Sequence, residues 1–187
     1  MEQVIKAAME YAEGLCCFAL QRGEPTLIGL DFFKRVVELE RKHQKPRVRI
    51  TNALQTNGLL LDEEWAAFLH EHRFLVGVSL DGPAEIHNLH RPDTAGKDTF
   101  NRVLQSVRLL EKHWVEYNIL SVVTAKSARS ADKLYRFFKK QGFRYLQFIP
   151  CLDPLGQPRG SAPHSLTPEA YGEFLIRIFD LWLEDLK

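Results

Sequence analysis

An α/β fold built on parallel strands is what this sequence predicts, on three observations. Apolar β-type runs alternate with amphipathic helical stretches along the whole chain. No hairpin signal joins successive strands, so the crossovers are right-handed and helical. Polar clusters recur just after the strand-like runs, where parallel folds place their ligands. Five such βα units form either an open doubly wound sheet or part of a (β/α) barrel.

The elements follow in order. Residues 3–13 carry Ile5, Ala8, Met9 and Ala12 at helical spacing, and Leu15–Gln21 reads as a strand. Leu30–His43 is helical through Phe33, Val36 and Val37, and ends in charge before Pro46. Val48–Thr56 is a strand; the helix after it is capped by Asp62 and turns Trp65, Phe68 and Leu69 to one face. Leu75–Leu80 is a strand stopped by Asp81-Gly82-Pro83. Phe100–Lys112 spaces Val103, Leu104, Val107 and Leu110 along a buried side, with Trp114 at the stop, where a small residue is expected. Tyr117–Val123 is a strand, Ala131–Gln141 a helix ended by Gly142, and Tyr145–Cys151 a strand. Asp153–His164, rich in Pro and Gly, is a linker. The final helix starts with Thr167 as cap and Pro168 in its first turn. Its stripe of Tyr171, Phe174, Leu175, Ile178, Phe179 and Trp182 is wide enough to need a partner.

Bulk properties exclude several classes. The chain has 187 residues, enough to bury roughly 70% of its unfolded surface. Its formal net charge is +1 with acids and bases interspersed, so no footprint points to nucleic acid or an anionic membrane. No apolar run approaches the roughly 20 residues of a membrane span. Charges at Glu2, Lys6, Glu10 and Glu13 rule out a signal peptide, and a cytoplasmic setting is expected. Cys16, Cys17 and Cys151 read as buried thiols. Adjacent strand residues point to opposite faces, so Cys16 and Cys17 are not placed to share a metal, and no residue is read as a metal ligand. His87 and His90 read as part of a surface turn.

The most informative stretch is Gln21-Arg22-Gly23-Glu24-Pro25-Thr26-Leu27. Glycine frees one backbone position of bulk, proline fixes the direction after it, and a carboxylate stands beside a bare backbone edge. At the end of a parallel strand such a turn suits a small ligand bearing an amino or carboxylate group. The competing reading of Glu24 is a charge at a helix start. Gln55-Thr56-Asn57-Gly58, Ser79-Leu80-Asp81-Gly82, Thr124 with Lys126, and Leu152-Asp153 follow the later strands and would face the same rim.

With these motifs in register, the chain resembles the radical S-adenosylmethionine (SAM) enzymes. The motifs are Gln21-x-Gly23-Glu24-Pro25-Thr26-Leu27, Gln55-Thr56-Asn57-Gly58, Val78-Ser79-Leu80-Asp81-Gly82-Pro83 and Glu85-Ile86-His87 with Arg91 beyond. Gly96-Lys97, Thr99-Phe100 and Phe148-Ile149-Pro150 add to the agreement, and the branch it resembles is that of the anaerobic sulfatase-maturating enzymes. The resemblance implies a partial (β/α) barrel, here with five βα units present and the first strand missing. It implies SAM bound to a [4Fe–4S] cluster, reductive formation of a 5′-deoxyadenosyl radical, and conversion of a cysteine or serine in a sulfatase peptide to formylglycine. By the same resemblance Gly23 and Glu24 hold the SAM amino group and Ser79 lies near the ribose and methionine portion. Arg91 holds the SAM carboxylate, and Leu152 lies against the adenine. A guanidinium is well made for that contact, because its planar fork matches a carboxylate. The alternative for Arg91 is a surface pair with Glu85 or Asp93.

Three departures accompany the resemblance. The Cys-x3-Cys-x2-Cys loop that ligates the family's cluster is absent from this sequence, and the three cysteines present have the wrong spacing. Arg22 stands where the family has the first glycine of its pair. The C-terminal SPASM domain would lie beyond Lys187. The expectation is therefore an incomplete barrel core over residues 1–153, followed over 154–187 by a linker and a helix leading toward a further domain. Such a chain would do no radical chemistry alone; the alternative is a cluster-less barrel that binds SAM or a peptide without turnover.

Overall fold

The computed structural model describes residues 1–187. In chain order its elements are α1 (Glu2–Tyr11), β1 (Leu15–Leu20), a 3₁₀ turn at Pro25–Ile28, α2 (Leu30–His43), β2 (Arg49–Thr56), α3 (Glu63–Glu71) and β3 (Leu75–Ser79). They continue with α4 (Ala84–His90), α5 (Phe100–Lys112), β4 (Tyr117–Val123), α6 (Ala125–Ala128), α7 (Ala131–Gln141), β5 (Leu146–Pro150) and α8 (Pro168–Asp185). The strands form one sheet in the order β1-β2-β3-β4-β5. The chain divides into two compact units, Met1–Ser79 with Arg102–Tyr117, and Leu80–Asn101 with Asn118–Lys187.

In the first unit β1, β2 and β3 are parallel, with Phe18 opposite Asn52 and Gln55 opposite Gly77. Parallel pairing with buried centres explains the β-branched residues Val76 and Val78, both fully buried. Phe33 of α2 is the hub of the aromatic core, meeting Trp65 edge-on at 4.9 Å between ring centroids and Phe74 at 6.3 Å. Asp62 caps α3 as expected, its Oδ1 accepting from Trp65 N–H at 2.9 Å. Val103, Val107 and Leu110 of α5 are buried, and Ser106 joins them because its Oγ donates to the carbonyl of Gly58 at 2.5 Å.

In the second unit β4 and β5 are parallel, with Ser121 opposite Phe148. Phe138 of α7 is fully buried and neighbours Phe143 and Phe148. Gly142 ends α7 in the left-handed region at φ 77°. Thr167 caps α8, and Tyr171 Oη of that helix donates to the carbonyl of Phe148 at 2.9 Å.

Several expectations are corrected. The helix α4 and the single turn α6 were not foreseen, since neither carries an apolar stripe. The thiols are not all buried: β1 alternates across the sheet, leaving Cys17 exposed and Cys16 half-buried, and Cys151 is half-buried too. The apolar row of α8 is split. Phe174 and Leu181 face the unit, whereas Leu175, Phe179 and Trp182 face outward. Trp114 occupies the stop after α5 at φ 57°, a conformation that ordinarily favours glycine. No helix is long and apolar enough to cross a membrane.

Candidate functional site

The turn after β1 is built on three consecutive residues in the left-handed region, Arg22 at φ 72°, Gly23 at 62° and Glu24 at 52°. Only the middle one is a glycine, so the turn depends on side-chain contacts to hold it. Glu24 supplies them. Its Oε1 accepts from Thr26 Oγ1 at 2.6 Å, from Thr56 Oγ1 at 2.6 Å and from Thr26 N–H at 3.3 Å. Its Oε2 accepts from Asn57 N–H at 2.6 Å. The carboxylate thus caps the 3₁₀ turn and fastens it to the end of β2, so the helix-start reading of Glu24 holds. A carboxylate offers about four acceptor sites, two on each oxygen, which leaves Oε2 with capacity for one more donor. Arg22 is exposed, clear of the turn's interior, and a Cβ on Gly23 would meet nothing within 4 Å. Gly23 and Glu24 border an open depression of about 450 Å³, with Leu20, Leu27 and Phe32 on its apolar side.

Ser79 ends β3, 7% exposed, and its hydroxyl has no partner in the chain. Asn57 is occupied by its own turn, Oδ1 accepting from Leu59 N–H at 2.9 Å. Thr56, which sequence reasoning did not single out, links Glu24 to Gly58, whose N–H reaches Thr56 Oγ1 at 3.0 Å. Its place at the end of β2 opposite an acidic turn was the only signal available.

In the second unit Arg91 pairs with neither Glu85 nor Asp93. Its Nε donates to Asp81 Oδ2 at 2.6 Å and its Nη2 to Asp81 Oδ1 at 3.1 Å. Asp81 is buried and also accepts from Val122 N–H at 2.9 Å, while Arg91 keeps 27% of its side chain exposed. This two-point pairing takes one long edge of the guanidinium. Of five N–H donors, two go to Asp81 and three remain, one of them on Nη2 and two on Nη1. The free end of the guanidinium therefore still presents a fork to a second carboxylate.

The surface-turn expectation for His87 is overturned. His87 lies on α4 with no exposed surface. Burial pushes its pKa down to about 4, with Asp81 acting upward and Arg91 downward. His90, three residues on, is exposed. Leu152, just past β5, is 79% exposed and is free to lie against a flat apolar ring. Thr124 forms a capping box with Ser127, which accounts for its place at the end of β4.

The alternating fold and the loaded ends of its strands define a class, and comparison confirms it. The radical SAM superfamily profile matches residues 1–138, and the chain belongs to that superfamily. Its fold is the partial, parallel radical SAM barrel, α/β throughout. Among curated relatives, the cysteine-type anaerobic sulfatase-maturating enzyme of Clostridium perfringens is 52% identical over 185 residues, covering 99% of this chain and 50% of the relative. The serine-type enzyme of Bacteroides thetaiotaomicron is 37% identical over 182 residues, covering 90% of this chain and 44% of the relative. Among solved structures, native anSMEcpe with bound AdoMet and a Kp18Cys peptide matches with a TM-score of 0.96 and 51% identity, over 99% of this chain and 51% of that one. The chain spans about half the length of the curated relatives it matches.

Two cofactors follow from the family, and the residues fit them differently. Each unit carries groups chemically suited to SAM: the first an unpartnered Ser79 hydroxyl and an open glycine position, the second a free guanidinium fork. For a [4Fe–4S] cluster the fit fails. Cys16 and Cys17 alternate across β1, and no group of three His, Cys, Asp or Glu side chains is arranged to hold a metal ion.

Proposed function

We propose that this chain is barrel core of a radical SAM oxidoreductase similar to the anaerobic sulfatase maturases, with a cysteine or serine of a sulfatase or related peptide as the target. The observation that carries this reading is the match, over 99% of the chain at 51% identity, to a structure holding both AdoMet and a peptide. SAM, when bound, would supply hydrogen-abstraction chemistry. The chain's own residues hold and orient it. The backbone at Gly23 and the spare acceptor on Glu24 Oε2 take the amino group, Ser79 hydrogen-bonds the methionine and ribose portion, Arg91 takes the carboxylate on its free end, and Leu152 covers the adenine. Residues 1–153 form the core in this reading, and 154–187 lead out of it toward a further domain.

Because the thiols do not fit a cluster, the 187-residue chain is assigned binding and not turnover: it is a SAM- or peptide-binding barrel portion of the larger activity. Three free cysteines accord with a cytoplasmic setting. Calorimetric titration with SAM tests the assignment. Saturable binding that Arg91→Ala weakens by about tenfold or more, the loss of one charge-assisted contact, is expected. Heat at the level of dilution for the native chain would overturn it. Anaerobic incubation with iron, sulfide and a reductant is expected to give no 5′-deoxyadenosine from this chain; its appearance would refute the separation of binding from turnover.

A further inference from the structure

We infer that His87 and Thr99 are positioning residues which lock Arg91 in place for its ligand carboxylate, through a closed ring of hydrogen bonds that begins and ends at Asp81. The inference rests on the assignment of Arg91 to the carboxylate of SAM.

The ring can be followed atom by atom. Asp81 N–H donates to His87 Nδ1 at 3.3 Å. His87 Nε2 lies 3.0 Å from Thr99 Oγ1. Thr99 Oγ1 lies 2.5 Å from the carbonyl of Arg91, which can only accept. The Arg91 guanidinium then returns to the Asp81 carboxylate through Nε and Nη2.

Donor counting fixes every proton in it. A hydroxyl has one hydrogen, and that of Thr99 is committed to the Arg91 carbonyl, so Thr99 must accept from His87. Nε2 therefore carries the imidazole proton. Nδ1 carries none, which is what the facing Asp81 N–H requires. Only the neutral Nε2–H form of His87 satisfies all of these groups at once. An imidazolium would set Nδ1–H against the N–H of Asp81. The lowered pKa of His87 accords with that requirement.

The ring acts on Arg91 at both ends of the residue. Its N–H donates to the carbonyl of His87 at 3.0 Å and its carbonyl accepts from Thr99, so the backbone is held on both sides. Its guanidinium is held edge-on by a carboxylate that is itself anchored by Val122 N–H. His87 and Thr99 are both buried, at 0% and 2% exposed. An unrestrained arginine side chain would lose rotamer entropy on capturing a ligand. Here that ordering is already present in the free chain, which is how preorganisation raises affinity.

The test is a thermodynamic cycle. SAM affinity is measured by calorimetry for the native chain, Thr99→Val, Arg91→Ala and the double variant, with Thr99→Ser as the conservative rescue. Positioning predicts that Thr99→Val weakens binding about tenfold, the equivalent of one hydrogen bond. It predicts that Thr99→Ser restores affinity and that the double variant binds no more weakly than Arg91→Ala alone. A general structural role would instead multiply the two losses, and that result, or an unchanged affinity in Thr99→Val, overturns the inference.

A second readout does not involve SAM. The Arg91 Nε–H resonance in a ¹⁵N NMR spectrum is expected to be shifted and slow to exchange in the native chain and in Thr99→Ser. In Thr99→Val it is expected to exchange faster and move toward free arginine. A resonance indifferent to position 99 overturns the inference even if SAM does not bind. A resonance that responds, in a chain that ignores SAM, upholds the lock and removes the SAM assignment.

Discussion

Two buried titratable side chains set opposite pH dependences, and both follow from single residues. Glu40 on α2 is 3% exposed; its Oε2 accepts from Asn52 Nδ2 at 2.8 Å, while Glu40 Oε1 and Asn52 Oδ1 have no partner. Two acceptors lacking a donor favour a protonated carboxyl, and burial pushes the Glu40 pKa above its ordinary 4.5, opposed by the Asn52 bond. A raised folded pKa means that stability from this group is complete below 4.5 and is lost as pH rises through the folded value. His87 runs the other way. Its folded pKa of about 4 lies below the ordinary 6.5, so its contribution is complete above 6.5 and is lost as pH falls through 4. That shift corresponds to roughly 3 kcal/mol. We therefore expect Glu40→Gln, a neutral side chain that can both donate and accept, to gain stability relative to the native chain at pH 8 but not at pH 4, in urea denaturation. We expect the His87 ring signals to stay in the neutral form from pH 8 to pH 5. A midpoint near 6.5 for His87, or an equal effect of Glu40→Gln at both pH values, would contradict these assignments. Neither environment was legible from the sequence. His87 is defined by Thr99, twelve positions away, and Glu40 by Asn52, also twelve positions away on the next strand. Ser79 and Glu24 could be singled out because each stands at a Gly- and Pro-containing turn that marks the end of a strand, whereas Arg91 follows α4 and was singled out through the motif resemblance.

Among the elements, those with wide apolar stripes were legible to the residue. The helices α2, α5 and α7 and the strand β4 have the bounds that periodicity assigns, because each buries a face continuous enough to set its own ends. α4 is different. It spans seven residues, buries only Ile86 and His87, and follows Asp81-Gly82-Pro83, whose breaker character hid it. Gly82 is what lets that helix follow β3 so closely. Its φ is 135°, and a Cβ there would stand 2.3 Å from Leu134 Cδ2, a side chain with no exposed surface. Leu134 can rotate its end away only into a packed interior, and the backbone conformation is disfavoured for any other residue. We expect Gly82→Ala to destabilise the chain by about 1–3 kcal/mol, measured as a lowered urea midpoint at unchanged slope. Gly142→Ala has open space at the Cβ position and only the positive φ to oppose it, so its cost is expected to be smaller. Equal costs at the two sites would show that backbone conformation alone governs, and that the close approach to α7 contributes nothing.

At the scale of the whole chain the governing quantity is apolar surface left in water. Leu175, Phe179 and Trp182 on α8 are 41%, 54% and 49% exposed, and Leu186 one turn further is 63% exposed. Spaced at i, i+4, i+7 and i+11, they form a stripe on the face adjacent to the buried Phe174 and Leu181, so the apolar surface of α8 extends well beyond its buried row. Scattered exposed leucines need no explanation, but a contiguous aromatic stripe does. β1 adds a second exposed feature: it is the terminal strand of the sheet, and the backbone groups on its outer edge are unpaired by any strand. A formal net charge of +1 supplies little repulsion to oppose association. We therefore expect the 187-residue chain to self-associate reversibly, with a weight-average mass in sedimentation velocity that rises with protein concentration. The two surfaces separate by substitution. Phe179→Lys combined with Trp182→Lys removes the stripe without touching the buried row, and is expected to move the chain toward monomer at every concentration. Lysine at Cys17, exposed on β1, guards the edge strand instead and is expected to have the smaller effect, because the aromatic stripe offers the larger apolar area. If the lysine pair leaves association unchanged while Cys17→Lys abolishes it, the edge strand is the contact. A native chain monomeric throughout would show that neither surface is adhesive.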